Sequence, residues 1–382
     1  VNDIVAVIHP EWGSGFPEFS LPPKKIHYLV FNMMGTLRGT ELNVGNRFEQ
    51  LRTERVDDGW DSLETLELPV VQTQFFPDHT KSILAKNDSP DLNFRYSINV
   101  YRGCEHGCAY CYARPTHEYL GFDPALDFET KIMVKENAPE LLRQELSRKG
   151  WTPTVVMMSG NTDCYQPAER HYRLTRRVLE VFLEFRNPIG IITKNALVTR
   201  DIDLLSEMAK LDLVHVMHSI TTLDRDLARK LEPRTSTPER RLASLAKMRA
   251  AGIPVGVMIG PVIPGLNDDE IPAILKASAE AGATMAGYNM IRLPYAVAPI
   301  FEEWLKINVP LEAEKVMKRI GMVRSGKKND PEFGSRMRGE GAYADYIKQT
   351  FKIHAKKYGM NQGAHKLSTE HFRRSGELSL FD

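Results

Sequence analysis

From Tyr96 onward the chain alternates between two hydrophobic periods. Short apolar runs rich in β-branched residues occupy 154–158, 189–193, 213–218, 254–259 and 284–291. Runs of this length and composition read as strands buried on both faces of a parallel sheet. Between them apolar residues recur at helical spacing over 138–147, 172–185, 202–210, 238–251 and 270–281, which predicts amphipathic helices. Lys149-Gly150 and Ala251-Gly252 end the first and fourth of these, with glycine as the C-terminal stop. A further strand-like run at 96–101 makes six βα units. Such alternation marks an α/β fold with a parallel sheet, here a partial (β/α)6 barrel over 96–295. In barrels of this kind functional side chains sit at the C-terminal ends of the strands, and that rule selects the candidates below.

The flanks read differently. Residues 300–307, 311–320 and 343–358 have helical patterns around a Gly-, Lys- and Arg-rich stretch at 325–341, so 296–382 is expected to be a helical segment packing on or closing the barrel. Residues 46–95 read as a small N-terminal cap, with short strands around Leu68, Val70, Val71, Phe75 and Phe76 interrupted by Pro69 and Pro77. Residues 1–45 show no sustained period through most of their length and read as a disordered extension without function. The chain begins with Val, and Met33-Met34 precedes a more regular sequence, so a start codon read too far upstream is expected.

Composition narrows the class. The chain has 382 residues, 42% hydrophobic and 26% charged, with a formal net charge of +1, as ordinary globular proteins do. No apolar run approaches the ~20 residues needed to span a bilayer, and no basic start with an apolar core signals secretion. The expectation is a cytoplasmic protein with no membrane association. Charge is uneven, however: 301–382 carries 16 Lys plus Arg against 11 Asp plus Glu. That balance suits a solvated helical surface or a face for nucleic acid.

Cysteine placement changes the picture most. Three of the four cysteines, Cys104, Cys108 and Cys111, fall within eight residues as C-x3-C-x2-C. This clustering argues for a metal centre in a reducing compartment rather than a disulfide framework. Gly103 and Gly107 free the loop to wrap an ion or cluster. Zinc is one reading, with His106 or Cys164 as a fourth ligand. A 4Fe–4S cluster held by three thiolates is the other, leaving one iron open for a cofactor, since a fully ligated cluster takes four.

The C-x3-C-x2-C motif, with aromatic Tyr110 before the last cysteine, resembles the signature of the radical S-adenosylmethionine (SAM) enzymes. The segments Ser97-Ile-Asn-Val-Tyr-Arg-Gly-Cys104, Asn161-Thr-Asp-Cys-Tyr-Gln-Pro-Ala-Glu169, Ile192-Thr-Lys-Asn195 and Ser219-Ile-Thr-Thr222 resemble the branch related to spore photoproduct lyase. The likeness runs from about Asn46 to about Phe372. It implies the partial TIM barrel, a 4Fe–4S cluster on Cys104, Cys108 and Cys111, and SAM as a second cofactor. The implied chemistry is reductive cleavage of SAM to a 5′-deoxyadenosyl radical that abstracts hydrogen from a substrate. An electron donor such as flavodoxin or ferredoxin is the expected partner; nucleic acid is a candidate substrate, with a peptide or small metabolite equally open. The rival reading is an iron–sulfur or zinc sensing protein that shares the fold without cleaving SAM.

The resemblance also selects strand-end residues. Thr162 and Asp163 match a hydroxyl and contacts near SAM, although helix capping accounts for them as well. Lys194 ends an apolar strand, where an unpaired ammonium is costly; the implied anion is the SAM carboxylate, with Asp163 or Asp201 as the bland alternative. Ser219 matches a hydroxyl at the methionine or ribose part of SAM, and Ile263 an apolar contact to adenine. His218 reads more simply as a structural histidine. The family's hydrogen-donating cysteine falls on Gly160, so Cys164, four residues on, becomes a displaced candidate donor. Arg292 is a candidate substrate or SAM contact, and Glu232-Pro233-Arg234 is placed near the same mouth. For a nucleic acid, Tyr165, Arg170, Tyr288 and Arg292 are the candidate stacking and phosphate contacts.

Overall fold

The computed structural model describes residues 38–40, 42, 44–48, 72–363 and 366–374. Most of the extension expected at 1–45, and Leu68, Val70 and Val71 of the cap, lie outside the described residues. Among the described residues ten strands form two sheets. In chain order they are β1 (Gln74–Pro77), β2 (Leu84–Lys86), β3 (Tyr96–Ile98), β4 (Tyr101–Arg102), β5 (Lys131–Val134), β6 (Val156–Met158), β7 (Ile189–Thr193), β8 (Val214–Ser219), β9 (Val255–Val262) and β10 (Met285–Met290).

The larger sheet runs β10-β9-β8-β7-β6-β3-β2. Its pairs from β3 to β10 are all parallel, and only edge strand β2 is antiparallel. Six parallel strands connected through helices give the expected partial barrel, open between β10 and β2. The side chains follow the strand period of two. Val214 and Val216 of β8, and Val255, Val257 and Ile259 of β9, are fully buried in the main hydrophobic core. There they join Val178, Phe182 and Phe185 of helix Leu174–Phe185 and Ile274 of helix Ile271–Glu280. Burial of each such side chain contributes about 1.5–3 kcal/mol. The alternate positions face the barrel interior. A Cβ at Gly190 would lie 2.4 Å from Met157 Sδ, and one at Gly256 2.4 Å from Met217 Sδ. Glycine on one strand therefore admits methionine from the next.

The expected strand at 96–101 is broken. Asn99 leaves the ladder: its side-chain oxygen accepts from Asn161 N at 2.9 Å and its carbonyl from Lys135 Nζ at 2.9 Å. The chain then enters a second sheet, β1-β5-β4, through β4. Strand β5, four residues directly after the short helix Leu126–Thr130, was too short to be evident in the sequence.

The C-terminal segment closes the β10 end. Helix Ala342–Lys357 buries Ala344, Ile347 and Ala355. Asn361 then pairs along the free edge of β10, accepting from Ala286 N at 2.9 Å and donating its own N–H to Thr284 O at 2.9 Å. Arg324 is buried and donates to Ile291 O at 2.6 Å and Ser335 O at 2.9 Å. The unpaired edge is thereby covered. Among the described residues no helix is long and apolar enough to cross a membrane.

Candidate active site

The parallel register brings the ends of β6, β7, β8, β9 and β10 to one mouth, with the cysteine loop opposite. Between them lies a cavity of about 370 Å3. Cys104, Cys108 and Cys111 all line it. Their loop leaves β4 through Gly103 (φ +79°), and Gly107 (φ +65°) makes the inner turn. A Cβ at Gly107 would lie 2.7 Å from Glu129 Oε2 and 3.1 Å from Gly39 N, so the loop is packed as closely as glycine permits. Residues 38–40, inside the stretch expected to be disordered, lie on its outer side: Gly39 N donates to Glu129 Oε2 at 2.8 Å.

Two residues that the sequence reading passed over hold this loop. Arg114 is fully buried. It donates to Cys108 O at 3.0 Å and 3.1 Å, to Ala125 O at 2.8 Å and to Glu129 Oε1 at 2.5 Å. Glu129, also fully buried, joins Arg114 to Gly39. The signal available in the sequence was an arginine three residues beyond the last cysteine.

Burial pushes all three thiols above their usual range; Asp163 adds to this at Cys104 and Glu232 at Cys108. A cation among them would reverse that preference, because metal or cluster binding expels the thiol protons. Among the described residues no three His, Cys, Asp or Glu side chains close on a single ion. The three thiols instead line one shared cavity. His106 is buried and both ring nitrogens are engaged: Nδ1 lies 3.4 Å from Asp163 and Nε2 3.2 Å from Asn195 Nδ2. Burial lowers its imidazole to about 4, against the opposing pull of Asp163. His106 thus braces the loop and is not free to act as a ligand.

Lys194 and Ser219 face the same cavity. Lys194 Nζ donates to Ser219 Oγ at 2.7 Å and to Gly260 O at 3.0 Å, which leaves one of the ammonium's three N–H groups. Neither anticipated acid takes it. Asp163 accepts the Lys194 backbone N–H at 2.7 Å and the Thr193 hydroxyl at 2.7 Å, and Asp201 is held by Arg176 and Arg200. The nearest carboxylate is Glu232, 3.8 Å away. Burial opposes its charge, but Arg241 and Lys194 prevail and hold it at about 2. Glu232 also accepts from Tyr110 and from Thr221. Tyr110 lines the cavity, and Lys194 Nζ lies 5.8 Å from its ring centre.

Several expected residues stand elsewhere. Thr162 is not on the cavity wall: its hydroxyl donates to Tyr101 O at 2.9 Å. Ile263 is fully buried beside Cys108 and Tyr110 in a second apolar cluster, behind the wall. Cys164, the candidate hydrogen donor, belongs to the main core and does not line the cavity. Tyr165 is fully buried with its hydroxyl 3.2 Å from Asp201 Oδ2. Tyr288 is buried against Phe351, and Arg170 is exposed away from the cavity. Arg234 pairs with Glu105 at 3.2 Å and does not reach the mouth. His218 faces the helices, its Nε2 2.8 Å from Ser244 Oγ, and burial lowers it to about 3. Asp163 and Arg292 do line the cavity.

The rest of the wall went unread in the sequence. Tyr112 lines it and donates its hydroxyl to Gly160 O. Met157, Met258 and Met337 line it, as do Met158 and Met290 of the main hydrophobic core, and Asn161 and Asn289 add amides. Methionines scattered over three strands and a short helix carry no motif.

Comparison with known proteins agrees with this geometry. Residues 98–277 match the radical SAM superfamily. An uncharacterized protein of Mycobacterium tuberculosis is 44% identical over 195 residues, covering 50% of this chain and 57% of that protein. The chain thus spans little more than half the length of that relative. A radical SAM Nalpha-GlyT isomerase of Pseudomonas phage M6 is 28% identical over 205 residues, covering 53% of this chain and 40% of the isomerase. Spore photoproduct lyase complexed with dinucleoside spore photoproduct has the same fold, with a TM-score of 0.53 at 16% identity over 75% of this chain and 80% of that one. From the cysteine loop, the partial barrel and the matched span, residues 98–277 form a radical SAM domain.

Proposed function

We propose that this protein is a radical SAM enzyme whose cavity takes a 4Fe–4S cluster on Cys104, Cys108 and Cys111, SAM beside it, and a substrate against the methionine wall. The observation that carries this reading is that the thiols, Lys194, Ser219 and Arg292 face one cavity. When bound, the cluster and SAM supply reductive cleavage to a 5′-deoxyadenosyl radical able to abstract hydrogen. The chain's own part is to bind, orient and exclude water. The remaining N–H of Lys194 is suited to the SAM carboxylate, and Ser219 fixes that ammonium at 2.7 Å. The substrate we favour is a nucleic acid, supported by the dinucleoside ligand of the similar fold and by the positive balance of 301–382. Photoproduct reversal itself is disfavoured, since Gly160 stands where the resemblance puts a thiol and Cys164 lies in the core. Flavodoxin or ferredoxin would serve as the reductant.

The test is anaerobic. The protein is reconstituted with iron and sulfide, given SAM and dithionite, and assayed for 5′-deoxyadenosine. Formation of that product is the expected result. A cluster that forms without SAM cleavage would favour a sensing protein, and tight zinc without a cluster would overturn the reading. Nucleic-acid binding is checked separately by DNA and RNA affinity across salt concentrations, and no binding at low salt would remove that substrate class.

Lys194→Ala gives a finer prediction. A charge-assisted hydrogen bond contributes about 1.5–3 kcal/mol, so SAM affinity should fall roughly tenfold to hundredfold while iron content holds. Unchanged SAM affinity by equilibrium dialysis would take Lys194 out of the cofactor site.

A further inference from the structure

We propose that Arg292 is held in the cavity wall for an oxyanion of the substrate, a phosphate or carboxylate group carried on an apolar body. This rests on reading the cavity as a substrate chamber, and it specifies what that chamber selects. Arg292 follows β10 and is half-buried on the wall that also carries Cys111 and Tyr112. Its Nε is buried and has no hydrogen-bond partner among the described residues. Its neighbours there are soft: Nη1 lies 3.9 Å from Met337 Sδ, and the guanidinium is 5.6 Å from the Tyr112 ring centre.

The acids nearby are already engaged. Asp91 accepts from Arg336 Nε and from Gly334 N, each at 2.5 Å. Asp330 accepts from Ser335 Oγ at 2.5 Å and from Glu332 N at 2.9 Å. Arg336 lines the same wall and holds Asp91, so among the described residues no carboxylate is hydrogen-bonded to Arg292. Burial and Arg336 both disfavour the charge on Arg292, and Asp91 and Asp330 offset this only in part. A desolvated cation without a counter-ion is costly. An arginine's planar fork pairs with phosphate or carboxylate through two parallel hydrogen bonds. Met337 beside it and Tyr112 suit an aromatic or aliphatic body of variable shape.

The test uses two charged probes, each with a neutral counterpart, on the full chain carrying its reconstituted cluster. The first pair is thymidylyl-thymidine and its methylphosphonate analogue; the second is benzoylglycine and its amide. Calorimetry should show one charged probe bound about tenfold or more tighter than its counterpart. Arg292→Gln should bring that ratio to about one, and Arg292→Lys should keep part of it. A preference in the first pair identifies a phosphate, and in the second a carboxylate. The proposal is overturned by a wild type with no charge preference in either pair. It is equally overturned by a ratio that survives Arg292→Gln, or by loss of SAM affinity to the same extent as probe affinity, which would make Arg292 a cofactor contact. Because the ratio is read from binding, it separates from the radical reading, which falls only if the wild type yields no 5′-deoxyadenosine.

Discussion

Replacing Cys104, Cys108 or Cys111 singly with alanine should lower 5′-deoxyadenosine formation about 100-fold or more, equivalent to at least about 2.7 kcal/mol of barrier. The same variants should lose the broad visible absorption of a cluster and most of their bound iron. The expectation is this severe because no fourth thiol can step in. Cys164 is the other cysteine of the chain; it is buried in the main core, and its carbonyl is fixed by Thr175 Oγ1 at 2.5 Å. His106, the nearest imidazole in sequence, is tied to Asp163 and Asn195. Cys164→Ala is the matched control and should keep iron and SAM cleavage. Iron retained in a Cys108→Ala protein would mean that another residue ligates the cluster. A Cys164→Ala protein without iron would mean that the cluster draws on a more distant thiol than the loop provides.

The sequence reading succeeded where periodicity dominates and failed where direction matters. Strand β7 lies at 189–193 as expected, and helix Ala138–Ser147 coincides with its predicted span. Long apolar runs and glycine stops fix such elements locally. Strands β4 and β5, of two and four residues, are too short to show a period, and the second sheet they form was invisible. The site follows the same division. Lys194 and Ser219 stand at the ends of long apolar strands, whose inward face is set by alternation, and both line the cavity. Thr162, Ile263 and Cys164 lie on turns beyond the strands, where no period says which way a side chain points. Thr162 is taken by the Tyr101 carbonyl and Ile263 by the apolar cluster behind Tyr110. Arg292 also lies past its strand, and its place on the wall follows from contacts with residues 336 and 337 that are distant in sequence.

Arg114→Met should destabilise the protein by about 3–5 kcal/mol, the usual result of removing one partner of a buried ion pair. Glu129 would be left as a carboxylate without solvent and without its nearest guanidinium, keeping only the Gly39 N–H at 2.8 Å and the more distant charge of Arg38. Burial already pushes Glu129 upward against the pull of Arg114, so the substitution should make it take up a proton. Loss of Arg114 also releases the carbonyls of Cys108 and Ala125. The loop that carries the thiols would therefore loosen along with the fold, and cluster occupancy should fall even below the unfolding temperature. Denaturant midpoints and iron content, measured together, test both parts. The double variant Arg114→Met with Glu129→Met removes both buried charges and should recover part of the stability. It should not recover the cluster, since Cys108 O and Gly39 N would still lack their partners. A single variant within about 1 kcal/mol of wild type, the range of ordinary surface pairs, would show that the pair does not hold the loop. Full cluster occupancy in the double variant would show that the cysteines need no support from Arg114 and Glu129 to keep their geometry.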